Sequence, residues 1–302
     1  MKKVSILKIK LMRAAMTLAL MVTCAAAWAQ NGNWSEYKAT AFSSASGTTI
    51  NITSPAELAL LAYNVTTLDT DYSGYTITLT TNLDMSAHYW DTPIGKFSSN
   101  HGGYNSFRGT FNGGNHTISG IINNNSTSNY QGLFGYVGKN NYPGTVSNLT
   151  LASSTITGKE SVGGIVGCIL NGTISNCHVL PSVSIQAGSD NSKYHGGIVG
   201  LLTPNKTNTT ATIENCTCGA NITSGSYSSC STYGGIIGYY SNSSQTNTTL
   251  TNCFYYGTSV SANSSVGAIA GSYWYPDGIS NCYYHYPSTI YNRKNELYTF
   301  LK

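Results

Sequence analysis

One short glycine-flanked phrase occurs five times from residue 132 onward, and it constrains the fold of this chain more than any other feature. Four copies are intact and the fifth is degenerate. They read Gly132-Leu133-Phe134-Gly135, Gly164-Ile165-Val166-Gly167, Gly197-Ile198-Val199-Gly200, Gly235-Ile236-Ile237-Gly238 and Ala268-Ile269-Ala270-Gly271. The last glycines of successive copies lie 32, 33, 38 and 33 residues apart. This recurrence indicates a repeat architecture, in which each unit buries its apolar surface only against its neighbours.

Each repeat carries a second motif, in which an aliphatic residue precedes an asparagine by two positions. The asparagines are Asn148, Asn176, Asn215, Asn252 and Asn281, and the residues that follow them are Leu149, Cys177, Cys216, Cys253 and Cys282. Asparagine tolerates left-handed backbone angles and hydrogen-bonds locally, so we expect a bend there. If the units stack at a strand spacing of about 4.8 Å, the amides form a hydrogen-bonded ladder beside a buried column of cysteine and leucine.

These short, β-branched segments predict an all-β protein, a right-handed parallel β-helix with one coil per repeat. The repeat glycines Gly135, Gly167, Gly200, Gly238 and Gly271 are expected to let the chain turn tightly where a Cβ would clash. A β-propeller is the alternative for repeats of this length. It needs about four strands per blade, whereas these units offer two or three.

The segment before the repeats contains a helix signal. Ser54 is a suitable N-cap, Pro55 stands at the first helical position, and Glu57 completes a capping box. Leu58, Leu61 and Ala62 share one face, so we expect a short helix that caps the first coil of the solenoid. The predicted organisation is a signal peptide at 1–29, a cap with first strands at 30–82, the β-helix at 83–289, and a C-terminal cap or tail at 290–302.

The first 29 residues are typical of a secretory signal peptide. Lys2, Lys3 and further basic residues precede an apolar run at 14–27, and Ala27-Trp28-Ala29 fits the small-x-small cleavage rule. The run is too short to span a membrane, and no later segment could do so. We therefore expect a secreted or cell-surface protein without a transmembrane segment after cleavage, with lipidation of Cys24 as the alternative.

The formal charge of +4 comes from this leader. The chain has 15 basic and 11 acidic residues, and five of the basic ones lie within the first 13 positions. The remainder is close to neutral, which argues against a nucleic-acid partner. Charged residues make up 9% of the chain. A low charged fraction of this kind predicts a surface of uncharged hydrogen-bonding groups.

Seven cysteines remain after cleavage, and an odd number in a secreted chain leaves at least one thiol unpaired. We interpret the four cysteines of the repeat column as small buried hydrophobes. Their spacing is that of the repeat, and no Cys-x-x-Cys occurs, so we expect neither a metal site nor another cofactor. Cys218 and Cys230 fall in the 38-residue repeat and could pair across its extra loop.

With both motifs in view, the chain resembles bacterial proteins that carry the GLUG motif, named for its Gly-Leu-x-Gly core. The residues that carry the resemblance are Gly132 to Gly135, the four later copies with Ile for Leu, Leu83-Asp84, Trp90 to Gly95, and Phe107 to Ile118. The chain has one residue more than usual between Trp90 and Pro93. The resemblance covers about residues 50–285, and the leader also resembles those of Bacteroidetes. It implies an exported, adhesin-like β-helix and supplies no catalytic residues.

Enzyme motifs are missing from the sequence, so we expect no catalytic activity and no catalytic residues. A polysaccharide lyase or glycoside hydrolase on a β-helix is the alternative, because such enzymes need acids and bases that converge on one groove. The polar residues that could supply such a site are Asp84, His88, Asp91, His101, Arg108 and His116. We favour a structural interpretation, in which these residues lie in loops of the first coils and Asp84 and His116 serve in turns and caps.

Aromatic residues give the better functional lead. The chain has 23 tyrosines, many of them in adjacent pairs in which one ring is expected to face inward and its neighbour outward. Outward rings on successive coils would form a strip that binds glycans, or a host or bacterial surface protein. The residues predicted for this strip are Tyr240, Tyr256, Trp274 and Tyr284. Coil stabilisation by stacked rings, in a structural stalk without a ligand, is the other interpretation.

Overall fold

The computed structural model describes residues 32–98, 103–123, 125–203, 209–241, 247–274, 278–285 and 289–290. The predicted signal peptide and residues 291–302 lie outside these ranges. The described chain is nearly all β, with a single α-helix and sheets that are mostly parallel. No helix among the described residues is long and apolar enough to cross a bilayer.

The largest sheet contains the strand that carries the asparagine motif in each repeat. In order across the sheet its main strands are β1 (Ser44–Ser46), β2 (Thr49–Ile52), β3 (Thr76–Leu79), β7 (Thr110–Ser119), β9 (Gly144–Ala152), β13 (Gly172–Val179), β17 (Thr210–Glu214), β22 (Asn247–Thr251) and β27 (Ile279–Ser280). Shorter strands extend it, namely β4 (Leu83–Asp84), β18 (Thr217–Cys218), β23 (Phe254–Tyr255) and β28 (Tyr283–Tyr284).

Three further parallel sheets each take one strand from successive repeats. The first has β10 (Thr155–Gly158), β14 (Ser184–Ala187), β19 (Asn221–Thr223), β24 (Ser259–Ser261) and β29 (Thr289–Ile290). The second has β11 (Glu160–Gly163), β15 (Lys193–Gly196), β20 (Ser231–Gly234) and β25 (Ser264–Gly267). The third, called the GLUG-strand sheet below, has β8 (Phe134–Val137), β12 (Val166–Ile169), β16 (Val199–Leu202), β21 (Ile237–Ser241) and β26 (Ala270–Trp274). A hairpin joins β5 (Lys96–Ser98) to β6 (Gly103–Asn105).

The register places equivalent residues of successive repeats beside one another. Ile174 pairs with Val146 on one side and with Ile213 on the other, and Ile213 pairs with Leu250. All four side chains are fully buried in the main core. In a β-propeller the strands are antiparallel and pair within one blade. The parallel pairing between repeats seen here therefore argues against that alternative.

The predicted asparagine bend is confirmed at every copy. Asn148, Asn176, Asn215, Asn252 and Asn281 have φ angles of 55°, 51°, 54°, 54° and 51°. Asn176 Nδ2 donates to Asn148 Oδ1 at 3.2 Å, and Asn252 Nδ2 donates to Asn215 Oδ1 at 3.2 Å. Asn112 adds a rung that the motif does not predict, because Asn148 Nδ2 donates to its Oδ1 at 3.0 Å. The side-chain hydrogen bonds among the described residues thus form two runs, Asn112–Asn148–Asn176 and Asn215–Asn252, rather than one continuous ladder.

The cysteine column also lies where the motif predicts it. Cys177 pairs in register with Leu149, and both side chains are buried. Cys216, Cys253 and Cys282 are buried at the equivalent positions of later repeats. Cys218 and Cys230 are free buried thiols in this structure and are not joined across the long repeat.

The repeat glycines have a different role from the predicted one. They lie inside strands β8, β12, β16, β21 and β26, and none adopts a positive φ, so they do not make tight turns. A Cβ on Gly200 would lie 2.4 Å from the Val162 amide nitrogen, and one on Gly238 would lie 2.4 Å from the Tyr194 carbonyl carbon. Glycine is required because the backbones of two sheets approach each other closely. The predicted Cβ clash is therefore present, but it arises between sheets and not at a turn.

The predicted helix forms as α1 (Pro55–Thr66), with Ser54 as its N-cap. Leu58, Leu61 and Ala62 are buried on one face, as expected. The Glu57 carboxylate does not complete a capping box. Its oxygens accept hydrogen bonds from the Ser43 amide at 2.6 Å and from the Thr53 amide at 2.7 Å, so the carboxylate joins the helix to the chain before it.

Candidate binding surface

Two members of the predicted aromatic strip face inward. Tyr240 is fully buried, and its hydroxyl donates to the Thr248 carbonyl oxygen at 2.8 Å. Tyr284 is also buried in the main core. Inward and outward rings do alternate within adjacent pairs. The phase is the opposite of the predicted one at Tyr239–Tyr240 and Tyr283–Tyr284, where the first ring is the partly exposed one, whereas at Tyr255–Tyr256 the second ring is partly exposed, as predicted.

The other two members do not complete a strip. Tyr256 is half-buried and stacks on Phe254 at a centroid distance of 5.9 Å and an interplanar angle of 19°. The Trp274 side chain lies outside the described part of the chain. The four predicted residues therefore do not form one exposed surface.

A different set of aromatic residues does lie together, on the outer face of the GLUG-strand sheet. Tyr136, Cys168 and Leu170 form an apolar cluster separate from the main core, with Tyr130 and Leu201 packed against it. In register, Tyr136 is beside Cys168, Cys168 is beside Leu201, and Leu201 is beside Tyr239. We call this set, together with Tyr194, the aromatic band; its residues are Tyr130, Tyr136, Cys168, Leu170, Tyr194, Leu201 and Tyr239.

The aromatic rings of the band form two pairs. Tyr130 and Tyr136 have ring centroids 4.4 Å apart, and Tyr194 and Tyr239 have centroids 5.1 Å apart, each pair tilted by 47°. Tyr130, Tyr194, Tyr239 and Leu201 are partly exposed, whereas Tyr136 is buried beneath its partner. Burial raises the pKa of Tyr239, and the neighbouring Tyr194 raises it further.

Tyr130 and Tyr194 occupy the same position in the repeat, and their backbone there is unusual. Their φ angles are 60° and 62°, and Ser161, Thr232 and Ser265 at the equivalent positions have 59°, 68° and 54°. Non-glycine residues rarely adopt positive φ, and a β-branched threonine does so least readily. The equivalence of the two tyrosines is visible in the sequence, because each stands two residues before a glycine, in Tyr130-Gln131-Gly132 and Tyr194-His195-Gly196. This spacing could have placed both tyrosines on the same surface, but the prediction from adjacent pairs did not include them.

A polar cavity adjoins the band at Tyr130. Its volume is about 460 Å³. Its walls come from the end of α1, from the segment between β4 and β5, and from the turn before β8. They include Asp91, Lys96, Asn125, Asn129, Tyr130 and Gln131. We call it the Tyr130 cavity.

Hydrogen bonds within its walls fix the shape of the Tyr130 cavity. Asn125 Nδ2 donates to the Asp91 carbonyl oxygen at 3.1 Å, and Gln131 Nε2 donates to the Asn129 carbonyl oxygen at 2.9 Å. Behind them, Asn123 Nδ2 donates to Gln131 Oε1 at 3.0 Å. Hydrogen bonds within the protein therefore hold the walls in place without a ligand, which favours a preformed site.

The polar residues considered for catalysis have separate structural partners. Asp84 Oδ1 accepts from the Ser86 amide at 3.0 Å, and His116 Nδ1 lies 3.3 Å from Asn82 Oδ1. The Arg108 guanidinium pairs with Asp69 at 3.2 Å and with Asp71 at 3.6 Å. These contacts fit the favoured structural interpretation.

Two further members of that set have different surroundings. His88 stacks on Tyr37 with a centroid distance of 3.7 Å, and Asp91 lines the Tyr130 cavity. His101 lies outside the described residues. Within the described ranges, no group of three or more His, Cys, Asp and Glu side chains could hold a metal ion.

Two known proteins are similar in sequence to part of this chain. Halomucin of Haloquadratum walsbyi is 37% identical over 129 residues, which cover 42% of this chain and 1% of halomucin. A provisionally named Gly-rich membrane protein of Evansella cellulosilytica is 37% identical over 112 residues, covering 37% of this chain and 11% of that protein. The chain thus spans a small part of either relative. It matches no protein-family model.

One solved structure is similar in fold. It is a Bacteroides ovatus protein provisionally described as an immunoglobulin A1 protease. The match has a TM-score of 0.56 and 18% identity, and it covers 78% of this chain and 75% of that one. At this identity the likeness concerns the fold alone.

Proposed function

We propose that this protein is a secreted or cell-surface binding module of adhesin type that recognises glycans or a surface protein. Its scaffold is a right-handed parallel β-helix, and the chain is a member of the GLUG-motif proteins. Parallel pairing of equivalent strands in successive repeats supports the scaffold. The partial matches to halomucin and to a membrane protein support the surface location.

One observation carries the binding proposal, namely the partly exposed Tyr194–Tyr239 ring pair on the outer face of the GLUG-strand sheet. Aromatic rings present a broad apolar face at low entropic cost and are enriched at binding surfaces. The charges beside this pair offset each other, since Lys193 Nζ lies 3.4 Å from Glu160 Oε1. The surface therefore suits an uncharged ligand that contacts rings, hydroxyls and amides.

The proposed module is not an enzyme and needs no metal or other cofactor. Asp84, Arg108 and His116 make structural contacts, so a lyase or hydrolase site built from the six candidate polar residues would lose three of them. Affinity in a surface protein would come from many weak contacts displayed in many copies.

A glycan array tests this proposal. The chain from residue 30 to residue 302 is applied to immobilised host and microbial glycans, and the released sugars are assayed for new reducing ends and unsaturated products. We expect selective retention with the glycans intact. Loss of the immobilised sugar would instead support a polysaccharide lyase or glycoside hydrolase. If the protein bound no glycan and captured no surface protein, a structural stalk without a ligand would be favoured.

A matched pair of variants ties retention to the surface. Tyr239→Ser removes an outer ring of the band, and Ser272 already occupies the next position of that column. Tyr142→Ser removes a tyrosine that is 53% exposed but lies outside the band. Retention should fall in the first variant only, and equal retention in both would exclude the band.

A further inference from the structure

The Tyr130 cavity has the composition of a sugar site. Ligand pockets combine aromatic side chains with a few convergent polar groups, and they commonly occupy about 300–1,000 Å³. The volume of about 460 Å³ here falls within that range. Tyr130 supplies the ring, while Asn125 and Asn129 bring side-chain amides and Thr127 and Ser128 bring hydroxyls.

The charges in the cavity favour a neutral ligand. The lining contains one carboxylate, Asp91, and one ammonium group, Lys96. Opposite charges in one cavity give no net attraction for a polyanion, whereas both groups hydrogen-bond well to sugar hydroxyls. The amides of Asn125 and Asn129 can each donate and accept, which matches the mixed donors and acceptors of a neutral sugar ring.

The cavity also connects to a longer surface. Gln131 pairs with Val162, and Val162 pairs with His195, so Tyr130 and Tyr194 are two coils apart. At a strand spacing of about 4.8 Å, the two rings are separated by about 10 Å along the stacking direction. A ligand that fills the cavity and continues along the band would reach Tyr194.

We propose that the Tyr130 cavity binds the terminal part of a neutral oligosaccharide, with the Tyr130 ring as stacking platform and Tyr194 as a contact for longer chains. This inference rests on the proposed glycan-binding function and names its ligand class and its site. Gln131, held by Asn123 and bonded to Asn129, keeps the platform segment in place.

Titrations with defined sugars test the inference. The probes are cellobiose with cellotetraose, maltose with maltotetraose, and chitobiose with chitotetraose, and the acidic probe is digalacturonate. We expect one neutral series to bind, its tetrasaccharide more tightly than its disaccharide, and digalacturonate to bind more weakly than both. Tighter binding of digalacturonate, or no binding by any neutral series, would overturn the inference.

The repeat supplies the variants. Tyr130→Ser introduces the residue that Ser161 already provides at the same backbone angle. It should weaken binding of both sugar lengths at least tenfold, as should Lys96→Ala. Tyr194→Ser, the matched change two coils away, should leave the disaccharide unaffected and weaken only the tetrasaccharide. Unfolding midpoints in urea check that each variant is folded.

The outcomes separate this inference from the broader function. If Tyr130→Ser is folded and binds the disaccharide as tightly as the parent, the cavity is not the site. Should the array still retain the protein on an acidic glycan or a protein partner, the binding function would stand without this site. If the parent protein were retained on no glycan and by no protein partner, both the cavity site and the broader binding function would be excluded.

Discussion

Asn176 donates its side-chain amide to the side-chain oxygen of Asn148, one repeat earlier, across 3.2 Å. Both residues have left-handed backbone angles, at φ 51° and 55°. Each of these two asparagines therefore bends its own repeat, and their side chains join the two repeats. The bend accounts for asparagine at this position in every repeat, and the hydrogen bond adds a second role in the runs Asn112–Asn148–Asn176 and Asn215–Asn252.

Asn176→Ala and Asn176→Gly separate the two roles. Alanine loses the ladder hydrogen bond and must adopt a left-handed angle, which costs about 1–2 kcal/mol for a residue with a Cβ. Glycine loses the hydrogen bond but tolerates the angle. We expect the alanine variant to have the lower free energy of unfolding in urea. Equal losses in both variants would mean that the angle contributes nothing.

The ladder could be predicted because its period and its chemistry both appear in the sequence. The aromatic surface could not be predicted from simple alternation. Phe134 and Val137 both face the main core although they are three residues apart, and Ile237 and Tyr240 do the same. Alignment of the repeats nevertheless distinguishes the two rings. Tyr240 aligns with the buried Leu202, and Tyr239 aligns with the half-buried Leu201.

The Tyr130 cavity was beyond sequence reasoning for another reason. Asp91 and Lys96 precede Asn129 and Tyr130 by more than thirty residues, and no motif of the sequence links the two segments. Only the folded chain brings them together. The sequence marks Asp91 as a candidate catalytic residue together with Asp84 and His116, and it does not indicate that Asp91 lines a cavity.

Gly200→Ala should severely destabilise the fold. The new Cβ would meet the backbone of Ser161 and Val162 at 2.5 Å and 2.4 Å, and backbone cannot move aside as a flexible side chain can. Overpacking typically costs about 1–3 kcal/mol and occasionally more, and we expect the upper end here because backbone would have to move. The control is Gly74→Ala, where φ is +79° but nothing lies within 4 Å of the new Cβ.

For Gly74→Ala the left-handed angle alone should cost about 1–2 kcal/mol. Urea unfolding of both variants measures the difference. A loss at Gly200 no larger than that at Gly74 would show that the two sheets can separate at this point.

The cysteines of the folded protein should resist alkylation. The described thiols are Cys168, Cys177, Cys216, Cys218, Cys230, Cys253 and Cys282, and all are buried and free. Burial raises the pKa of Cys218 to about 12, so the reactive thiolate is scarce at pH 8. Iodoacetamide followed by mass spectrometry should label none of them in buffer and all of them in guanidinium chloride. A protected pair in guanidinium without reductant would instead reveal a Cys218–Cys230 disulfide.

Stability should fall in mild acid because of His195. Its ring is fully buried, stacks on Tyr233 at 4.3 Å, and has Nε2 3.2 Å from the Gly158 carbonyl oxygen. Burial lowers the pKa of His195 to about 4, although the contact with Gly158 opposes the shift. In the unfolded chain the pKa is about 6.5.

Between these two pKa values the unfolded chain binds a proton that the folded protein does not. The contribution of His195 is therefore complete above about pH 6.5 and decreases as the pH falls towards 4, reaching a loss of about 2 kcal/mol at pH 5. His195→Phe keeps an aromatic ring on Tyr233 and removes the titrating group, while the other histidines remain. Urea unfolding at pH 7.5 and pH 5 should show a smaller decrease in the variant than in the parent. Parallel decreases in the two proteins would assign the acid sensitivity to other groups.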